Sequence, residues 1–127
     1  MRSMRWVAAL VLVAVAAGCA STGRSSPRTS RDLLTRAELE ASTQVTAMEV
    51  IRQARPHWLY TRGTNSVNLP NPIQVYIDGV RAGSLDTLEG MPVMGIERMR
   101  FYDATEAQAR FGMNNTNGAI EVITRKS

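Results

Sequence analysis

The chain of 127 residues has a single cysteine, a single histidine and no apolar run near 20 residues. One cysteine excludes a disulfide within the chain. A transmembrane helix needs about 20 consecutive apolar residues, and the longest apolar stretch, Trp6 to Ala17, falls short of that. His57 stands alone, with no ligand spacing around it, so a metal site would need carboxylates to converge on it. It reads as a packed or surface histidine, and no metal or other cofactor is expected. Charge is close to balanced: 15 Lys+Arg against 11 Asp+Glu, a formal +4. That excess is too small for the basic footprint of a nucleic-acid binder. Ser84 has no histidine at motif spacing, and Asp103 and Glu106 already have the spacing of a helix cap, so no catalytic constellation emerges. The chain is not expected to be an enzyme.

What is present begins at the N-terminus. Arg2 and Arg5 precede the apolar Trp6–Ala17 segment, and Ala16-Ala17-Gly18 leads into Cys19. A basic start, a short apolar core and small residues at the end are the features of a secretory signal. With cysteine directly after the small residues, the segment resembles a bacterial lipoprotein signal. That resemblance implies cleavage after Gly18 and acylation of Cys19, which would hold the protein in a membrane. Ala16 departs from it, since leucine is more usual there, and ordinary secretion is the alternative. Loss of Arg2 and Arg5 with residues 1–18 would leave 13 basic against 11 acidic residues, or +2.

From Cys19 through Arg31 the composition turns to Ser, Thr, Gly, Pro and Arg, with no aliphatic residue larger than alanine after the cysteine. Such a segment buries too little to offset its ordering entropy, and residues 19–31 read as a tether. A coil of that length spans roughly 18 Å. Arg24, Arg28 and Arg31 either attract anionic headgroups or simply keep the tether solvated.

Residues 32–127 read as one small domain. Thr35–Glu38, Thr46–Glu49 and Asp103–Glu106 each have capping-box spacing. Val45, Met48 and Ile51 predict one face of a helix that ends by Arg55, before Pro56. His57–Thr61 predicts a short strand, and Gly63–Asn71 a loop closed by Pro70 and Pro72. Ile73, Val75 and Ile77 alternate with Gln74 and Tyr76, and Asp78-Gly79 signals a two-residue hairpin returning through Val80–Ala82. Ser84 is placed to cap a turn carrying Leu85 and Leu88. Gly95–Tyr102 predicts a strand with Met99 and Phe101 inward. Ala104, Ala107 and Phe111 form a helical stripe stopped by a left-handed Gly112, and Asn114–Gly118 a turn. Ala119–Thr124 predicts a central strand. Two strand–helix–strand crossovers predict parallel neighbours. The fold class is therefore α+β: a small two-layer domain, a mixed β-sheet with packed helices.

Four blocks in the second half carry a family resemblance. Val75-Tyr76-Ile77-Asp78-Gly79, Ile96-Glu97-Arg98-Met99, Ala109-Arg110-Phe111-Gly112 and Asn117-Gly118 through Arg125 occur in that order. Together they resemble the plug domain of TonB-dependent outer-membrane receptors, over roughly residues 73–125 and more loosely over Leu34–Arg62. The resemblance implies a plug-like fold and a connection to the outer membrane. It does not carry transport over. The sequence stops at Ser127, no energy-coupling box stands near its start, and Phe101-Tyr102-Asp103 replaces the usual arginine-glycine-proline loop.

The expectation is thus a non-enzymatic, lipid-anchored accessory or interaction protein on the periplasmic face of the outer membrane. Ala20, rather than aspartate, after Cys19 is compatible with outer-membrane sorting in the lipoproteins it resembles. Its partners would be the membrane, through acylated Cys19, and an outer-membrane barrel or another envelope protein, not nucleic acid. The alternative is a periplasmic module that binds a glycan or small molecule. Two segments are binding candidates. Arg55, Trp58, Tyr60 and Arg62 combine arginine with aromatic residues, the types enriched at interface hot spots; the alternative is that Trp58 or Leu59 supplies core and the arginines are solvated. Asn114, Asn115 and Asn117 match the position of a substrate-facing plug loop; the alternative is a turn that uses asparagine for its tolerance of positive φ.

Overall fold

The computed structural model describes residues 31–60 and 72–127. The signal segment, Cys19, the tether up to Ser30, Thr61, Arg62 and the Gly63–Asn71 loop lie outside the described residues. The elements run β1 (Leu33–Leu34), α1 (Arg36–Ala41), α2 (Ala47–Ala54), β2 (Gln74–Ile77), β3 (Val80–Gly83), β4 (Ile96–Tyr102), α3 (Ala104–Phe111) and β5 (Ala119–Thr124). Short 3-10 turns occupy Pro56–Leu59, Leu85–Leu88 and Val93–Gly95. The five strands form one sheet in the order β1-β4-β5-β2-β3. This is a small α+β domain with a mixed sheet and helices packed on it.

The helices start where hydroxyl and carboxylate meet. The Thr35 side chain accepts from the Glu38 amide while the Glu38 carboxylate accepts from the Thr35 amide, and Thr46 and Glu49 repeat the arrangement. Each reciprocal pair satisfies two orphan amides. At α3 only half of the expected box is present: Asp103 accepts from the Glu106 amide at 2.9 Å, and capping in return is absent from its geometry. Because Thr46 is the cap, Val45 falls outside α2 and is 72% exposed, contrary to the expected Val45–Met48–Ile51 face. The buried face of α2 is Ala47, Met48, Val50 and Ile51.

The expected strand at His57–Thr61 is replaced by the 3-10 turn at Pro56–Leu59. Proline at the first helical position lacks an amide that would be unsatisfied there anyway. The turn swings Trp58 into the core, where it is fully buried, stacks on Phe101 and donates its indole N–H to the Arg31 carbonyl at 3.1 Å.

Asp78 and Gly79 both have positive φ, at 50° and 85°, as the tight β2–β3 hairpin requires. Among the described strands only β2 and β5 run parallel; β1–β4, β4–β5 and β2–β3 are antiparallel. Both predicted crossovers are therefore corrected: β3 and β4 are not neighbours, since β5 and β2 lie between them, and β4 and β5, joined through α3, pair antiparallel. An eight-residue α3 climbs about 12 Å, short of the roughly 20 Å that a strand like β4 covers. The chain returns to the sheet where it left, with Ala119 opposite Tyr102. Gly112 ends α3 at φ 102°, ψ 173°, an extended mirror-image conformation rather than the expected left-handed helical one.

Strand alternation sends side chains to two faces. Val75, Met99, Ile120 and Val122 join Leu39, Met48, Val50, Ile51, Trp58 and Leu88 in the main core. Each such fully buried side chain contributes about 1.5–3 kcal/mol of hydrophobic stabilisation. On the other face Tyr76, Tyr102 and Ala119 form a smaller cluster with Ala107 and Phe111 of α3.

Candidate functional site

The residues nominated by sequence take different positions. Arg55 closes α2 and reaches back to the Leu33 carbonyl at 3.2 Å and the Glu38 carboxylate at 2.7 Å, joining three elements. Trp58 is core and Tyr60 is 76% exposed, so the two do not share one surface. Arg62 and Cys19 lie outside the described residues. Asn115 is buried, donates to the Gly112 carbonyl at 2.9 Å and accepts from the Tyr76 hydroxyl at 3.1 Å. It builds the turn from within. Asn114 is exposed and Asn117 half-buried beside it. Asp78 does more than form its turn: its carboxylate accepts from both the amide and the hydroxyl of Thr124 on β5. Those bonds, the hydroxyl first, hold its carboxyl below the ordinary range.

A different group of residues converges. In β4, Arg98, Arg100 and Tyr102 follow one another at every second position and share a face of the sheet. Opposite them on β5 lie Ile123 and Glu121, and opposite Arg100 on β1 lies Leu33. Arg110 arrives from the last turn of α3. These residues line a cleft of about 310 Å³. Within it, the Tyr102 hydroxyl donates to Glu121 Oε2 at 2.8 Å, and Arg110 Nη2 lies 3.1 Å from Glu121 Oε1. The Arg100 and Arg110 guanidiniums sit 4.7 and 5.3 Å from the Tyr102 ring centroid. Burial first, then the bond to Glu121, raises the Tyr102 hydroxyl above its ordinary value of 10.0, so it stays a neutral donor.

Glu121 is thus committed to Tyr102 and Arg110. Arg98 is exposed and makes no ion pair or side-chain hydrogen bond among the described residues, and Arg100 makes only its contact with the Tyr102 ring. The cleft offers positive charge and hydrogen-bond donors against two apolar walls. Sequence reasoning had not singled out this group, although the every-second-residue spacing of Arg98, Arg100 and Tyr102 was a signal available in it.

A second groove of about 480 Å³ is lined by Arg36, Leu39, Val45, Pro92, Met94 and Arg125 among others. Val45 and Met94 are exposed large hydrophobic residues within it, at 72% and 76%. His57 Nε2 lies 3.9 Å from the Asp32 carboxylate. Among the described residues no three of His, Cys, Asp and Glu converge as metal ligands, and no helix is long and apolar enough to cross a membrane. Neither the models of known protein families nor the curated proteins give a match to this chain.

Proposed function

We propose that this is a lipid-anchored accessory or interaction protein of the outer membrane, working without catalysis and held by acylated Cys19. The observation that carries the reading is the lipoprotein-like Trp6–Cys19 segment, followed after the tether by a domain whose first strand begins at Leu33. The four plug-like blocks support the plug-like part. They lie on β2 and its hairpin turn, on β4, at the end of α3 and on β5, a sheet-and-helix set of the kind that resemblance implies. Fractionation of cells carrying the parent chain and Cys19→Ser tests the anchor: the parent should sediment with outer membranes and the variant should not. Crosslinking in intact cells tests the role. Attachment to a barrel receptor or an energy-coupling component supports it; attachment to neither removes the transport-accessory role.

The second groove favours an alternative, a periplasmic module for a glycan or small molecule. A thermal-shift screen separates the two. A true ligand at a hundredfold excess over its Kd would stabilise the domain by about 2.7 kcal/mol.

A further inference from the structure

We propose that the cleft between β4 and α3 binds the phosphate of an anionic lipid headgroup, in the membrane to which the tether fastens the domain. Three guanidiniums, from Arg98, Arg100 and Arg110, line the cleft with a single carboxylate, Glu121. That carboxylate is held by Arg110 and Tyr102, so the positive charge of Arg98 and Arg100 is left uncompensated inside it. Neighbouring Glu97 does not line it. A guanidinium presents a planar fork of donors that matches phosphate oxygens two at a time. Arg100 lies against the Tyr102 ring, a contact that limits its freedom and leaves its donors to a ligand. Leu33 and Ile123 provide apolar walls suited to the glycerol end of a lipid rather than to a free ion.

Position favours the same occupant. Leu33 belongs to the first strand after the tether and pairs directly with Arg100. Even fully extended, the chain from Cys19 to Leu33 reaches no more than about 50 Å, so a lipid-held Cys19 leaves this cleft within reach of headgroups. The inference rests on the tether reading for that proximity alone.

The test uses the mature chain from residue 19 with Cys19→Ser, so no acyl group contributes, and measures sedimentation with phosphatidylcholine vesicles with and without phosphatidylglycerol. Binding is expected only when phosphatidylglycerol is present. Arg98→Gln with Arg100→Gln should weaken it about 25-fold, roughly fivefold for each arginine near the surface. Arg52→Gln with Arg81→Gln removes the same charge at residues that line neither this cleft nor the second groove and should weaken it by a much smaller factor. Unchanged Trp58 emission shows that each variant is folded. Equal losses in both double variants would overturn the site, leaving only net charge. So would equal binding to both vesicle types. Binding of inorganic phosphate or of an oligo-glutamate peptide without vesicle binding would overturn it in favour of a free ion or an acidic protein segment. Membrane fractionation of the acylated chain is read separately, so failure of the anchor and failure of the cleft are distinguishable.

Discussion

Tyr102 donates its hydroxyl proton to Glu121 at 2.8 Å from the neighbouring strand, and both side chains are largely shielded from water. A hydrogen bond to a charged group contributes roughly 1.5–3 kcal/mol. Tyr102→Phe should lower stability by that amount in urea unfolding, because Glu121 keeps Arg110 but loses its buried donor. Glu121→Gln should cost less, since its amide oxygen still accepts from Tyr102. An unfolding curve for Tyr102→Phe that overlays the parent's would show that the bond contributes nothing.

Trp58 tests the corrected 3-10 turn. In the chain without residues 1–18 it is the only tryptophan, and it is fully buried. Its emission should be blue-shifted in the folded domain and move to the red on unfolding. Trp58→Ala should cost about 3–5 kcal/mol, as large aromatic deletions do in cores. Water-like emission from the folded protein would mean that the strand expected over His57–Thr61, with a more exposed Trp58, is the better description.

Two glycines should respond in opposite ways to alanine. Gly118 has φ +93°, and a Cβ there would stand 2.7 Å from the Tyr102 carbonyl oxygen and 3.2 Å from the Phe101 ring. Gly118→Ala should destabilise by more than about 1 kcal/mol. Gly90 has open space around it and no positive φ, so Gly90→Ala should be neutral or stabilise by up to about 1 kcal/mol through the unfolded chain. Thermal unfolding of both variants compares them directly, and equal shifts would contradict the backbone argument.

Acid should weaken the domain through its capping carboxylates. Burial pushes Glu38 upward, but the Thr35 amide and hydroxyl and the Arg55 guanidinium outweigh it, and its carboxyl lies below the ordinary 4.5. Glu49 is lowered chiefly by the Thr46 amide. A depressed carboxyl stabilises the fold above its unfolded value and loses that contribution as pH falls through the folded one. Stability should therefore be level above about pH 4.5 and decline below it. Glu38→Gln should be less stable near neutral pH and show a shallower acid decline. Urea midpoints measured across this range check both, and identical acid slopes would rule out Glu38 as a contributor.

Local chemistry was legible in the sequence; long-range convergence was not. Thr35–Glu38 and Thr46–Glu49 were readable because a cap is settled within four residues, and the Asp78-Gly79 turn because positive φ restricts its composition. Ala119–Thr124 was readable as central from its apolar run. His57–Thr61 reads as a strand because five residues carry too little periodicity to separate a strand from a tight helical turn, and the burial of Trp58 decides the matter from outside the segment. Leu33–Leu34 is too short to announce a strand; β4 makes it one. Arg98, Arg100, Arg110 and Glu121 come from three elements and meet only because β5 returns beside β4 instead of crossing over. Their cleft is a product of strand direction, which no local pattern encodes.

The parallel pairing of β2 with β5 sets an order of events during biosynthesis. β5 is the latest of the five strands to leave the ribosome, yet it sits in the middle of the sheet, between β4 and β2. Until Ile120 and Val122 have emerged, Val75, Ile77 and Met99 have no common partner, and the sheet is two separate fragments. Closing it joins Gln74 to Ala119 across a long stretch of chain, the kind of distant contact that makes folding slow. A nascent chain of this topology keeps its sheet open until β5 has been synthesised.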